Sequence, residues 1–225
     1  MQEQKQKLSL SYATRKVNIV PDKNRVKKHD RYVKKYNKTF MICLLITSLV
    51  CYADIRLFAS GHYIWASVLA LGCLVLLFYT FAIFQASSPG VYNTGLLVPA
   101  IISNTEPLEI LVLANMEMSD AANEAFALQR IQVKDLPGQS ISIGAKIPCI
   151  AMFGGSNGEL HGHFEPRPLC WATGQETDLK NAISMIEEKE WELFRSKLPV
   201  ANDLELEKEV LLNANNEIII AESNS

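Results

Sequence analysis

By residue type and spacing, the pair best suited to chemistry in this chain is His161 and His163. On a β-strand, residues two apart point to one side, so two imidazoles there can share a metal ion, and Cys149, Cys170 or Glu165 would complete the site. The plainer reading is an exposed pair where a turn meets a strand. The spacing to other ligands matches no zinc pattern, so we expect no bound metal and no cofactor. Cys149 alternates with Ile147, Ala151 and Phe153, which is the pattern of a core thiol rather than a nucleophile. Gly154-Gly-Ser-Asn-Gly158 is rich in glycine, but no Lys-Ser/Thr follows and no helix starts there, which argues against a phosphate loop. Neither a Ser-His-Asp signature nor a dinucleotide fingerprint is found.

A second group of residues acts through charge. Lys27, Lys28, Arg31, Lys34, Lys35 and Lys38 crowd the end of a segment, residues 1–38, whose net charge is +9. From residue 85 onward the net charge is −11. Val26, His29, Val33, Tyr36 and Phe40 recur at helical spacing between these cations, so the stretch reads as a basic amphipathic stem. Such a stem either lies on anionic lipid headgroups, at about 1 kcal/mol per Lys or Arg, or only sets orientation. Nucleic-acid binding is the weakest reading of these cations, because no base-reading motif accompanies them.

The element that must position both groups is Phe40 to Phe84. From Tyr63 to Phe84 no residue is charged, and a helix of about 20 apolar residues spans the ~30 Å hydrocarbon core of a bilayer. The run from Phe40 to Ala59 contains Asp54 and Arg56 near its end, either an intramembrane functional pair or, as we prefer, a pair that snorkels to the headgroups. With only Ser60-Gly-His62 between the runs, the sequence predicts a transmembrane helical hairpin. Ala66, Ala70 and Cys73 offer a small-residue face for packing on the first helix or on a second copy. Lys/Arg bias keeps residues 1–38 on the cytoplasmic side, and two crossings return the chain there. The expected location is the cell (inner) membrane, multi-pass, with both termini cytoplasmic. Five cysteines without regular spacing fit a reducing compartment.

The predicted organisation is a basic segment over 1–38, mostly without structure over 1–20, a hairpin over 39–86, a β-rich domain with one helix over 90–199, and a tail over 200–225. Pro21-Asp22 marks a helix start, and Ser87-Ser-Pro-Gly90 ends the second apolar helix. Short strands follow over Thr94–Ile102, Pro107–Met116, Phe126–Val133, Ile147–Phe153 and Leu160–Trp171, with Gly154–Gly158 a loop and Glu117–Glu124 an acidic one. This predicts a small closed or partly open β-barrel. One helix is expected to pack on it, started by a Thr173–Glu176 capping box, with Glu187, Glu188, Glu190 and Glu192 facing water and Pro199 stopping it. In the tail, Leu204, Leu206 and Val210 alternate and Asn213-Ala-Asn-Asn216 can turn into Ile218–Ile220, so the tail is either a short strand pair or disordered.

Pro137-Gly138, Ile143-Gly-Ala-Lys-Ile-Pro-Cys149, His163-Phe-Glu-Pro-Arg-Pro-Leu-Cys-Trp171-Ala-Thr and a helix carrying Glu188 and Trp191 together carry a resemblance. The chain resembles a bacterial family of membrane proteins, familiar from corynebacteria, known only as a domain of unknown function. The resemblance covers roughly residues 90–198. It implies a mainly β soluble domain after membrane helices, and no catalytic residues.

The sequence therefore favours a membrane-anchored cytoplasmic β-domain acting as a non-enzymatic binding or adaptor module, with the lipid bilayer, a protein partner or a second copy as its contacts. The alternative is a metal- or thiol-dependent enzyme or sensor built on His161, His163 and Cys170.

Overall fold

A computed structural model describes residues 16–118, 125–201 and 204–219. In chain order the helices are α1 (Lys23–His29), α2 (Arg31–Ala59), α3 (Tyr63–Ala86), α4 (Val91–Thr94), α5 (Glu176–Met185) and α6 (Glu188–Ala201). The strands are β1 (Leu96–Thr105), β2 (Leu108–Asn115), β3 (Phe126–Gln132), β4 (Lys146–Asn157), β5 (Leu160–Pro168) and β6 (Glu209–Leu212). The chain forms two units. Asp30–Val91 make a helical unit; the described residues up to His29 and from Tyr92 onward make a β unit.

The β unit is built on one antiparallel sheet of order β5-β4-β1-β2-β3-β6. Ala100 faces Val112 and Ile147, Val112 faces Gln129, and Gln129 faces Glu209, so these residues share one face. That face also holds Ala114, Ala127 and Ala151, small enough to line the inside of a curl. Leu97, Leu111, Leu113, Leu128 and Ile150 fall on the other face and are equally buried. With both faces covered, the strands read as continuous apolar runs rather than alternating ones.

The sheet curls into a half-barrel, as its edges show. The Phe164 N–H on β5 donates to Glu209 Oε2 on β6 at 3.2 Å, although β5 and β6 are opposite ends of the strand order. Backbone bonds from Met118 to Glu159 (3.0 Å) and from His161 to Met116 (2.8 Å) tie the chain beyond β2 to the β4–β5 turn. Pro166 and Pro168 share the outward edge of β5 with Phe164 and have no N–H to offer, so the seam is blunted against pairing with another strand.

The leucine-rich face is covered by α6. Arg130 Nη2 donates to the Ala201 carbonyl at 2.5 Å, and Lys146 Nζ sits 4.5 Å over the Trp191 ring. The buried Lys197 ammonium donates to the carbonyls of Asn213 (2.7 Å) and Ala214 (2.8 Å). These bonds hold the turn that follows β6, beyond which Ile219 N–H reaches Leu211 O, so the tail forms the short strand pair.

Four expectations about this helical region need correction. The single helix is two, because Ile186 is extended between α5 and α6. Glu190 is buried rather than water-facing, since its Oε1 accepts the Glu187 N–H (3.0 Å) and caps α6. Thr173 is not the N-cap, which is Gln175; the Thr173 hydroxyl donates to Asp178 Oδ2 (2.8 Å) and accepts from Gln175 N–H (3.1 Å). Pro199 does not stop α6, which runs to Ala201.

Residues 16–29 also depart from the expected free basic segment. Val17, Ile19 and Val26 are buried. Asp22 Oδ1 caps α1 by accepting from Asn24 and Arg25, and Asp22 N–H donates to Ala172 O (2.8 Å). Arg25 reaches the carbonyls of Cys170 (Nε, 2.7 Å) and Pro137 (Nη2, 2.9 Å), and His29 Nδ1 donates to Asp135 Oδ1 (2.7 Å). These bonds lie within the β unit, so the segment before the apolar helices is part of the fold that follows them. Most of the stretch expected to lack structure, residues 1–15, lies outside the described residues, as does most of the Glu117–Glu124 loop.

In the helical unit, α2 and α3 pack antiparallel across a turn at Ser60-Gly-His62, where Gly61 adopts φ +81. Their contact mixes small, polar and aromatic groups: Thr47 and Thr80 hydroxyls are 3.4 Å apart, Cys51 and Cys73 sulfurs 3.6 Å apart, Ala66 is buried, and the Phe40 and Phe84 rings lie 5.7 Å apart. Both helices are long and apolar enough to cross a membrane. Large apolar side chains such as Leu45, Ile64 and Phe78 are bare, with Phe78 76% exposed, which a water-soluble core helix would not tolerate.

Candidate functional site

The two histidines have different neighbours. The His161 ring stacks on Phe153 at 4.4 Å between centroids. The His163 ring occupies the space a side chain on Gly154 would need. In the register of the β4–β5 pair His163 lies opposite Gly154 and His161 opposite Ser156. Gly154-Gly-Ser-Asn157 is strand rather than loop, and Gly155 (φ +64) and Gly158 (φ +62) adopt backbone that other residues avoid, re-aiming the hairpin tip. Burial lowers the pKa of His161.

Neither thiol joins them. Gly154 pairs with His163 and Cys149 with Pro168, five rungs apart, or roughly 17 Å at ~3.3 Å per residue. Burial pushes Cys149 well above the usual thiol range, with nearby Cys170 adding to the effect. Cys170 is pushed up to about 12, mainly by burial, against the opposing pull of Arg25. Two buried thiols held in neutral form are poor nucleophiles and poor ligands. Glu165 is engaged elsewhere, at 2.9 Å from the buried Arg167 guanidinium on the same strand. Among the described residues no group of three or more His, Cys, Asp or Glu side chains is arranged to hold a metal ion.

The basic group divides between the two units. Lys27 and Lys28 are exposed on α1, in the β unit. Asp30 then caps α2 through Tyr32 N–H (2.8 Å) and Val33 N–H (3.1 Å), breaking the expected continuous stem. Arg31, Lys34, Lys35 and Lys38 follow at i, i+3, i+4 and i+7, one stripe along the first two turns of α2. That stripe runs directly into the apolar part of the helix. Asp54 and Arg56, two apart, point in divergent directions around α2, and Arg56 is exposed. Asp54 Oδ1 is enclosed with no hydrogen-bond partner.

A further group was not legible in the sequence. Glu209 closes the half-barrel through Phe164, and its carboxyl is pushed up to about 7 by burial, against the opposing pull of the Phe164 N–H. Its cross-strand neighbour Gln129 has a buried Oε1 with no partner. Only the alternation of Leu204, Leu206 and Val210 hinted that this stretch is a strand.

A family model described as a protein of unknown function, DUF3239, matches residues 85–201. That span is more than half of the 225 residues. The chain belongs to this family. The DUF3239 region takes in β1 to β5, α5 and α6, and leaves out β6, α1 and nearly all of the apolar helices. A crystal structure of a candidate membrane protein from Corynebacterium diphtheriae is similar, at 23% identity and a TM-score of 0.43, covering 52% of this chain and 98% of that one. No curated protein matches the sequence. DUF3239 carries no assigned activity, so the chemistry of this chain must be argued from its own residues.

Proposed function

We propose that this DUF3239 protein is a membrane-anchored, non-enzymatic binding module. In this reading α2 and α3 cross the inner membrane as a hairpin, both termini are cytoplasmic, and the β unit engages a protein partner or another copy. The observation that carries it is that residues 16–29 and the chain from Tyr92 onward fold into one unit. Segments that share a fold share a compartment, so a chain that leaves this unit through α2 and returns through α3 crosses an even number of times. The cations of residues 16–38 favour the cytoplasm for that compartment, while the turn at Ser60-Gly-His62 has only Arg56 nearby. The Arg31–Lys38 stripe suits anionic headgroups at the point of entry.

The binding role is supported by what the candidate chemical groups do. His161 is stacked on Phe153, His163 fills the space beside Gly154, and the two thiols of the β unit are held protonated. An enzyme needs convergent polar groups, whereas a binding module needs only a surface. The test is elemental analysis of the purified full chain, combined with a photo-crosslinker at exposed Glu192 in native membranes. A metal-free chain that gives a discrete, saturable adduct is expected. Stoichiometric zinc lost in His161→Ala and His163→Ala would overturn the reading.

A further inference from the structure

We propose that the loop carrying Ile141 and Ile143 is a second lipid-contact element, by which the β unit docks on an anionic bilayer surface. The inference rests on the membrane-anchor reading and adds a contact that the hairpin does not supply.

The two isoleucines are 52% and 71% exposed, while Leu136, a few residues earlier, is buried. The loop is not slack. Gly144 N–H donates to Ile102 O (2.8 Å), Ile102 N–H to Ala145 O (3.1 Å) and Gln139 N–H to Leu136 O (3.1 Å). Gly138 and Gly144 hold φ of +79 and +82, making the turns that project Ser140–Ile143 outward. Only Ser142 lies between the isoleucines, and Ser140 and Gly144 flank them, with no charge to oppose entry into headgroups.

Charge complementarity selects lipid as the occupant. Helix α1 is clamped beside the loop by Arg25 on Pro137 and His29 on Asp135. This brings the exposed Lys28 and Lys134 into one neighbourhood, with exposed Lys23 and Lys27 on the same short helix, and the acid at the loop base, Asp135, is engaged by His29. From residue 85 onward the chain is net −11, so lysines gathered at the base of this loop stand apart from the acidic remainder. A bare apolar loop tip with lysines near its base is the composition of an interfacial membrane contact. Covalent tethering through the apolar helices raises the effective lipid concentration, so a weak contact suffices.

The test uses the full chain in nanodiscs of phosphatidylcholine alone or phosphatidylcholine with phosphatidylglycerol at about 3:1. Cys43, Cys51 and Cys73 are replaced by Ala, and an environment-sensitive fluorophore is attached to Ile143→Cys or, as a water-exposed control, to Glu192→Cys. At position 143 we expect blue-shifted emission, at least about threefold brighter in the anionic discs and quenched by lipids brominated near the headgroup. Position 192 should stay aqueous in both. Lys27→Glu with Lys28→Glu should return position 143 to its value in neutral discs. Aqueous emission at 143 in anionic discs would overturn the proposal. So would a blue shift that follows the number of chains per disc and ignores brominated lipid, which would assign the loop to a second copy. Carbonate extraction separates the two readings: a chain released by carbonate sinks the anchor, whereas a retained chain with an aqueous position 143 sinks only this loop contact.

Discussion

Replacing Glu209 by Gln tests the closure of the half-barrel quantitatively. The amide oxygen keeps an acceptor for the Phe164 N–H, so the substitution removes the charge and little else. A carboxyl held at about 7 instead of the ordinary 4.5 corresponds to about 3 kcal/mol of disfavoured charge at alkaline pH, at ~1.4 kcal/mol per tenfold. The group remains partly wet, and we halve the figure for solvent screening to ~1.5 kcal/mol. The sign follows from the raised folded pKa. The native state holds the proton more tightly than the unfolded chain, so this stability is full below about 4.5 and lost as pH rises through about 7. Wild type should therefore unfold in urea about 1.5 kcal/mol more easily at pH 8.5 than at pH 5 through this group. Glu209→Gln should match wild type at pH 5 and exceed it by about that amount at pH 8.5. The assay is tryptophan fluorescence of the full chain in detergent with Trp65→Phe, which leaves the buried Trp171 and Trp191 as reporters. An unchanged pH slope in Glu209→Gln, or a loss of stability at pH 8.5, would refute the desolvated seam.

Other substitutions probe the remaining framework. Ile147→Asp places a charge on the small-residue face and should cost more than about 3 kcal/mol, read as a collapse of the urea midpoint; an unchanged midpoint would reject the strand register. Arg25→Ala removes two charge-assisted bonds to the carbonyls of Cys170 and Pro137 and should cost about 2–4 kcal/mol in the docking of α1. Hydrogen exchange should then accelerate over 16–29 while β1–β4 stay protected, and equal protection of both would show α1 is held by something else.

Much of the architecture was legible because it depends on pattern. The uncharged run to Phe84, the break at Ser87–Gly90 and the apolar strands with Gly/Pro turns lead to the hairpin and the curled sheet. Pro21-Asp22 correctly marked the start of α1, because a capping Asp is a local signal. What was not legible depends on contacts far apart in sequence. Nothing near Arg25 signals that its partners are carbonyls at 137 and 170, and so the basic segment looked free. Glu190 looked solvated because helical spacing cannot show that a new helix starts two residues earlier and that this carboxylate caps it through the Glu187 N–H. For His161 and His163 a period of two says nothing of their neighbours, the Phe153 ring and the bare backbone of Gly154, which lie across the hairpin. The seam at Glu209 required knowing that the first and last strands of the order meet.

The central claim, a hairpin whose flanks share the cytoplasm, is tested most directly by labelling Ser60→Cys in intact cells with a membrane-impermeant thiol reagent, alongside a tag fused after residue 225. The account predicts that Ser60→Cys is labelled from outside, while the tag resists added protease until the cells are lysed. A silent Ser60→Cys with a tag cleaved in intact cells would invert the orientation. Labelling at Ser60→Cys together with cleavage of the tag would contradict the shared compartment that the co-folding of residues 16–29 with the β unit requires.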